Sequence, residues 1–212
     1  GLFSCPSIVG PAANLMRFWV AMEGDNRGFA VIVAMKGEFV GYEQHETTTI
    51  ITKYRRVSAK GKQHYQLVLE STPFYAESGG QVGDTGTIHT GTYTMQVIDT
   101  KKENDLIIHV TEELAPDLDT QVQASIDRSA RRKTQRHHTA THMLQAALQQ
   151  VLGKHIAQKG SLNNADYLRF DFSHFAKVSD EELMEVEKIV NRKIRQNIPV
   201  VVKILPKEEA LQ

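Results

Sequence analysis

His138 and His142 stand four residues apart in the run Arg136-His137-His138-Thr139-Ala140-Thr141-His142. On a helix that spacing stacks two imidazoles on one face, close enough to grip a single metal ion. The apolar residues Ala140, Met143, Leu144, Ala147, Leu148 and Val151 form the opposite stripe. At about 100° per residue, Leu144 and Val151 lie more than about 120° from the pair, and Gln145 and Gln149 continue the histidine face. The two rings are therefore expected to look into water or a cleft, either as ligands of an ion or as part of a solvated polar face. A metalloprotease helix carries Glu directly after the first His as general base. Thr139 stands there instead, which argues against a peptidase.

Three other stretches hold residues with chemical potential. Residues 127–136 contain Arg128, Arg131, Arg132, Lys133 and Arg136 against the single acid Asp127. Such a run is a solvated helix face, or a phosphate track where a polyanion passes. Residues 72–86 hold four glycines, Gly79 and Gly80 among them. Glycine serves in plain turns and equally where backbone must come close to a ligand. Gln158, at the end of a short strand-like stretch, reads by itself as polar surface.

The elements that must position these residues can be read from periodicity. Residues 48–57 are rich in β-branched and aromatic side chains, and Tyr65, Leu67 and Leu69 alternate with His64, Gln66 and Val68. Residues 92–98, 106–110 and 120–126 add further strands, the last with Val122, Ala124 and Ile126 on one face. Short strands separated by turn residues predict a small barrel or curled sheet over 38–126. Residues 127–212 predict an antiparallel sheet from 156–159 and 167–173, packed with two main helices. Gly153 is the expected C-cap of the first helix. Ser179-Asp180-Glu181-Glu182 is a capping box opening the second, and 199–205 form a last strand. The fold class is α+β. Residues 1–37, with Trp19 as a packing anchor, are assigned no function.

Composition bounds the rest. The 212 residues carry 25 basic and 25 acidic side chains and are 41% hydrophobic, an ordinary soluble globular mixture. A neutral total excludes a uniformly basic nucleic-acid binder but permits a local basic patch. The single cysteine, Cys5, excludes an internal disulfide framework and points to a reducing cytoplasm. No apolar run reaches the ~18 residues of a membrane span, and no signal peptide is legible at the N-terminus.

The histidine segment, with Gln158-Lys159-Gly160-Ser161-Leu162 and Leu168-Arg169-Phe170-Asp171-Phe172-Ser173-His174 after it, resembles the editing domain of alanyl-tRNA synthetases and their free-standing deacylase relatives. Upstream, Phe74-Tyr75-Ala76-Glu77-Ser78-Gly79-Gly80-Gln81-Val82-Gly83-Asp84-Thr85-Gly86 is similar to the same family's glycine motif. These motifs follow the family's order and spacing, and the resemblance runs from about Glu38 to about Val202. It implies a zinc ion on His138 and His142, and a role for Gln158 in recognising the hydroxyl of misattached serine. Gly79 and Gly80 would face the editing pocket, and Arg131, Arg132, Lys133 and Arg136 would contact phosphates of the acceptor end of tRNA(Ala).

The family also supplies a Cys and a further His from a downstream motif that does not occur before Gln212, so the zinc site is expected to be incomplete. The chain, which starts at Gly1, is expected to be part of a longer, ATP-using alanine–tRNA ligase whose remaining domains are partners. That enzyme would clear seryl- or glycyl-tRNA(Ala) in the cytoplasm, with no membrane or DNA involved. Two other readings stay open: a non-catalytic module that binds the acceptor end, and a zinc-dependent hydrolase of another small ester.

Overall fold

A computed structural model describes residues 30–32, 37–59, 61–118, 120–199 and 206–210. The expectations for Cys5, for Trp19 and for nearly all of a strand over 199–205 lie outside the described residues. The described residues divide into two compact units, one within 1–75 and 85–126, the other within 76–84 and 127–212. The observed architecture is α+β, as the periodicity predicts.

Among the described residues the first unit has nine strands: β1 (Ala30–Val31), β2 (Glu38–Phe39), β3 (Glu46–Ala59), β4 (Lys62–Leu69), β5 (Ser71–Thr72), β6 (Gly86–Thr90), β7 (Tyr93–Glu103), β8 (Leu106–Thr111) and β9 (Gln121–Ile126). Six of them close into an antiparallel barrel in the order β3-β4-β8-β7-β6-β9, with β9 returning to β3. Closure works because β3 is 14 residues long. Its first part, Glu46–Ile50, pairs with β9, and its later part pairs with β4. β1 adds to the edge of β3 opposite Lys53 and Tyr54, and β2 pairs in parallel with β5. The period-2 patterns of the sequence point inward as expected: Leu67 and Leu69, Met95 and Val97, and Val122, Ala124 and Ile126 share one core with Ile51, Phe74 and Ile88. Val68, which alternation places on the outer face, is also buried, in a small cluster with Ile108. β6 was not anticipated; its sequence Gly-Thr-Ile-His-Thr holds one apolar residue, and it is a strand because β7 and β9 pair with it on both sides.

His109 of β8 is fully buried in this unit. Its Nδ1 lies 3.0 Å from the Leu67 carbonyl oxygen and its Nε2 lies 2.7 Å from Thr72 Oγ1. A carbonyl only accepts, so Nδ1 carries the proton and Nε2 accepts from the threonine hydroxyl. That hydroxyl in turn accepts from the Phe74 backbone N–H at 3.1 Å.

The second unit contains α1 (Arg128–Leu152), β10 (Gln158–Asn163), β11 (Leu168–Phe172), α2 (Asp180–Arg195) and the single turn α3 (Lys207–Ala210). Asp127 caps α1, its carboxylate accepting from the N–H groups of Ser129 and Ala130. Gly153 ends the helix at φ +115°, outside the range of ordinary side chains. The Ser179–Glu182 capping box is present in both directions at the start of α2. Ala147 and Leu148 of α1 pack with Ile156 and with Val186 and Ile189 of α2, and Phe170 and Phe172 of β11 lie against this core. The first strand of the sheet lies at 158–163 and not at 156–159. Ile156 supplied the apolar signal, but it is a core residue ahead of the strand. The strand itself is the polar stretch Gln-Lys-Gly-Ser-Leu-Asn, held by its pairing with β11.

The glycine-rich segment 76–84, which sequence order places among the strands of 38–126, clusters instead with α1 and β10. Its main chain explains why: Val82 N–H donates to Asn163 O at 3.0 Å and Asn163 N–H donates to Gly80 O at 2.7 Å.

Burial holds the His109 ring neutral, lowering its pKa from 6.5 to about 4, while the bond to Leu67 opposes the shift only in part. Below pH 6.5 the unfolded chain therefore binds a proton that the folded chain refuses. Stability is complete above that pH and falls as pH drops from about 6.5 to about 4, by about 3 kcal/mol from this group. Urea unfolding across that range is expected to show the slope, and His109→Gln, which can donate to Leu67 and accept from Thr72, is expected to lack that share of it.

Candidate functional site

Ser78, Gly79, Gly80 and Gln81 make a tight turn in which Ser78 and Gln81 exchange both backbone bonds, at 2.9 and 3.1 Å. Gly79 and Gly80 have φ of +60° and +79°. Two consecutive positive φ values at the centre of a two-residue hairpin are those of a type I′ turn, which favours glycine at both positions. The turn lies against His138 and β10. A Cβ on Gly79 would stand 3.9 Å from His138 Cε1, and one on Gly80 would overlap Ser161 Oγ at 2.2 Å. Both glycines serve turn geometry, and Gly80 serves close approach to Ser161 as well.

The helix spacing does bring His138 and His142 together, with nearly parallel rings 5.2 Å apart. His142 is exposed, whereas His138 is partly covered. His138 Nδ1 lies 2.9 Å from Oε1 of Gln81, whose side chain is buried. Burial first, and then the neighbouring His142, push the pKa of His138 down. A neutral imidazole is the form that can ligate a metal. Among the described residues no third His, Cys, Asp or Glu completes a metal-binding group with the pair. The residues present therefore fit zinc as two of the three or four ligands such sites use.

Gln158, at the start of β10, is exposed and donates from Nε2 to Ser161 Oγ at 3.0 Å. It joins the glycine turn through Ser161, which touches Gly80. Thr141, buried on α1, lies with its hydroxyl 2.6 Å from Asn163 Oδ1 and 3.0 Å from the His137 carbonyl. Asn163 is fully buried, and its Nδ2 has no partner among the described residues. Sequence reasoning did not single out Gln81, Thr141, Ser161 or Asn163 as a group. Thr141 and Ser161 lie inside recognisable motifs, but no local signal marks Asn163.

The basic run divides. Arg132, Lys133 and Arg136 are exposed, as a phosphate contact requires. Arg131 is not: it is 4% exposed, and its guanidinium clasps the Asp84 carboxylate. Nε lies 2.8 Å from both carboxylate oxygens, and Nη2 bonds Oδ2 as well. Its reading as a phosphate contact is corrected accordingly; the side chain that it was expected to offer to RNA fastens the far end of the glycine loop to α1. Arg132 and Arg136 rim a groove of about 1010 Å³ between α1 and α2, whose lining includes His142, Met143, Ile189 and Ile194.

The profile of the family described as tRNA synthetases class II (A) matches residues 22–130, just over half of the 212 residues. The chain belongs to that family. An alanine–tRNA ligase of Cytophaga hutchinsonii is 58% identical over 161 residues, 76% of this chain and 18% of that protein. One from Bacteroides fragilis is 54% identical over 163 residues, 77% of this chain and 19% of that protein. One from Flavobacterium psychrophilum is 45% identical over 180 residues, 76% of this chain and 20% of that protein. This class II synthetase chain thus spans about a fifth of the length of the curated relatives it matches. No helix among its described residues is long and apolar enough to cross a membrane.

Two stability tests follow from the loop's attachments. Gly79→Ala pays only for its left-handed backbone, about 1 kcal/mol, while Gly80→Ala adds the overlap with Ser161 and is expected to cost about 3 kcal/mol or more in urea unfolding. Arg131→Met leaves a buried carboxylate without its clasp and is expected to cost about 3–5 kcal/mol; a loss below about 1 kcal/mol would return Arg131 to the surface residues.

Proposed function

We propose that this chain carries the editing site of an alanine–tRNA ligase, the site that hydrolyses the ester of serine or glycine misattached to tRNA(Ala). The observation that carries the reading is the convergence on one side of α1: a histidine pair, a glycine turn against His138, and a polar strand end bearing Gln158. Its support from relatives is the identity of 45–58% to alanine–tRNA ligases.

In this reading His138 and His142 hold zinc, with the remaining ligands coming from outside the described residues. Zinc there supplies Lewis acidity toward the ester carbonyl. The chain's own residues do the rest. Gly79 and Gly80 let the backbone stand close to the aminoacyl group. Gln158 offers an amide to the serine hydroxyl, which alanine lacks, so correct product gains nothing from the site. Arg132, Lys133 and Arg136 hold phosphates of the acceptor end and orient the ester. The aminoacyl ester is intrinsically labile, and no general base is assigned. The partners proposed are tRNA(Ala) and the rest of a synthetase whose other domains use ATP, acting in the cytoplasm.

Seryl-tRNA(Ala) and alanyl-tRNA(Ala) are the substrates for the test, each with and without added zinc. Hydrolysis of the seryl form alone, lost in the His138→Ala/His142→Ala double variant, is the expected result. Binding of both without turnover would favour acceptor-end binding only, and turnover of small esters but not of either tRNA would favour a different hydrolase. Arg132→Ala and Arg136→Ala are each expected to weaken tRNA binding alike for all sequences and to reduce the slope of log K against log salt by about 1. An unchanged slope would remove them from the interface.

A further inference from the structure

His138 has two ring nitrogens, and only the one that lacks a proton can bind a metal. Which one that is depends on what the other nitrogen meets. Nδ1 meets the side-chain oxygen of Gln81 at 2.9 Å. An amide oxygen accepts and never donates, so the proton belongs on Nδ1 and the lone pair on Nε2.

Gln81 is itself closely held. Its side chain is 5% exposed. Its backbone closes the glycine turn with Ser78 at one side and bridges Asn163 at the other. That bridge is made by main-chain bonds of the residues flanking it, Gly80 O from Asn163 N–H and Val82 N–H to Asn163 O. The side chain therefore starts from a fixed point, and its reach to His138 does not depend on a mobile loop tip. The Cε1 edge of the same ring faces the bare Cα of Gly79, where no side chain competes for the imidazole.

From this geometry we infer that Gln81 is a positioning residue that locks His138 in the Nδ1-protonated tautomer and so turns Nε2 into the standing lone pair of the pair's metal site. The glycine motif then has a second task besides close approach to a ligand: it delivers the amide that selects the tautomer. The inference uses the editing-site reading for its metal and not for its tautomer, so the two can fail separately. Partners of this kind on the outer nitrogen of a ligating histidine commonly change metal affinity by about 10–100-fold when removed.

The test uses the full 212-residue chain. Nitrogen-15 NMR of the metal-free protein, with the His138 ring assigned by its loss in His138→Ala, reads the tautomer directly. A dominant Nδ1–H form is expected, lost in Gln81→Leu and retained in Gln81→Glu, whose carboxylate also accepts. Zinc affinity by chelator competition is expected to fall about 10–100-fold in Gln81→Leu and to be recovered in Gln81→Glu. Circular dichroism and urea unfolding of each variant show whether the fold is kept. Should Gln81→Leu unfold, the wild-type tautomer and the Gln81→Glu protein decide the matter alone. A dominant Nε2–H form in the wild type, or an unchanged tautomer in folded Gln81→Leu, overturns the inference. A protein that locks the tautomer yet turns over small esters and neither acylated tRNA overturns the editing reading instead and leaves the role of Gln81 standing.

Discussion

The attachment of the glycine loop to α1 and β10 is the constraint on which the rest of the candidate site depends. It has three fastenings of different kinds. The type I′ turn sets the direction of the chain, the main-chain bonds to Asn163 set its register on β10, and the Asp84–Arg131 clasp ties its end to the helix. The clasp is the costliest to form, since both charged groups are almost wholly out of water. A buried ion pair of this sort contributes little net stability compared with an apolar pair, because desolvation offsets the attraction. What it supplies is intolerance of misplacement: with the bidentate geometry lost, a charge would be left buried and uncompensated.

That intolerance suits the neighbouring half of α1. The buried residues of α1 change in character along its length. Arg131, Thr134 and Thr141 come first, Ala147 and Leu148 farther on. The later part is held by apolar contact with α2 and β11, a force that is strong and non-directional. The earlier part is held by hydrogen bonds and a charge pair, which weaken steeply with angle. The histidines lie on the flank of this polar section. Their orientation is therefore set by directional interactions, and the same partial burial that positions His138 lowers its affinity for a proton. Positioning and protonation state share one cause.

The barrel unit obeys a simpler logic. Its core is alternation made three-dimensional, with Met95 and Val97 of β7 and Val122, Ala124 and Ile126 of β9 all turned inward. The exception is His109, a polar ring at full burial whose two nitrogens are each provided for by neighbours from β4 and β5. Such a group is tolerated because its hydrogen bonds are complete in the neutral form.

What the sequence alone determined is what neighbouring residues decide among themselves. The histidine spacing puts two rings on one helical face, the glycine at 153 and the Ser179–Glu182 box mark helix ends, and the alternating runs become barrel strands. The motifs also carried the tRNA synthetase resemblance that the profile and the relatives bear out at the level of the family. Tertiary structure alone decided the matters that need a distant partner. Arg131 and Arg132 are adjacent and chemically identical, yet one is sealed against Asp84, 47 residues away, and the other lies on a groove rim. Gln81 reaches His138 across 57 residues, and β10 is a strand through its pairing with β11 and despite its polar sequence. Local periodicity is written into every few residues, so it survives in the sequence. Which oxygen a particular nitrogen meets depends on how the chain closes on itself, and no short stretch contains that.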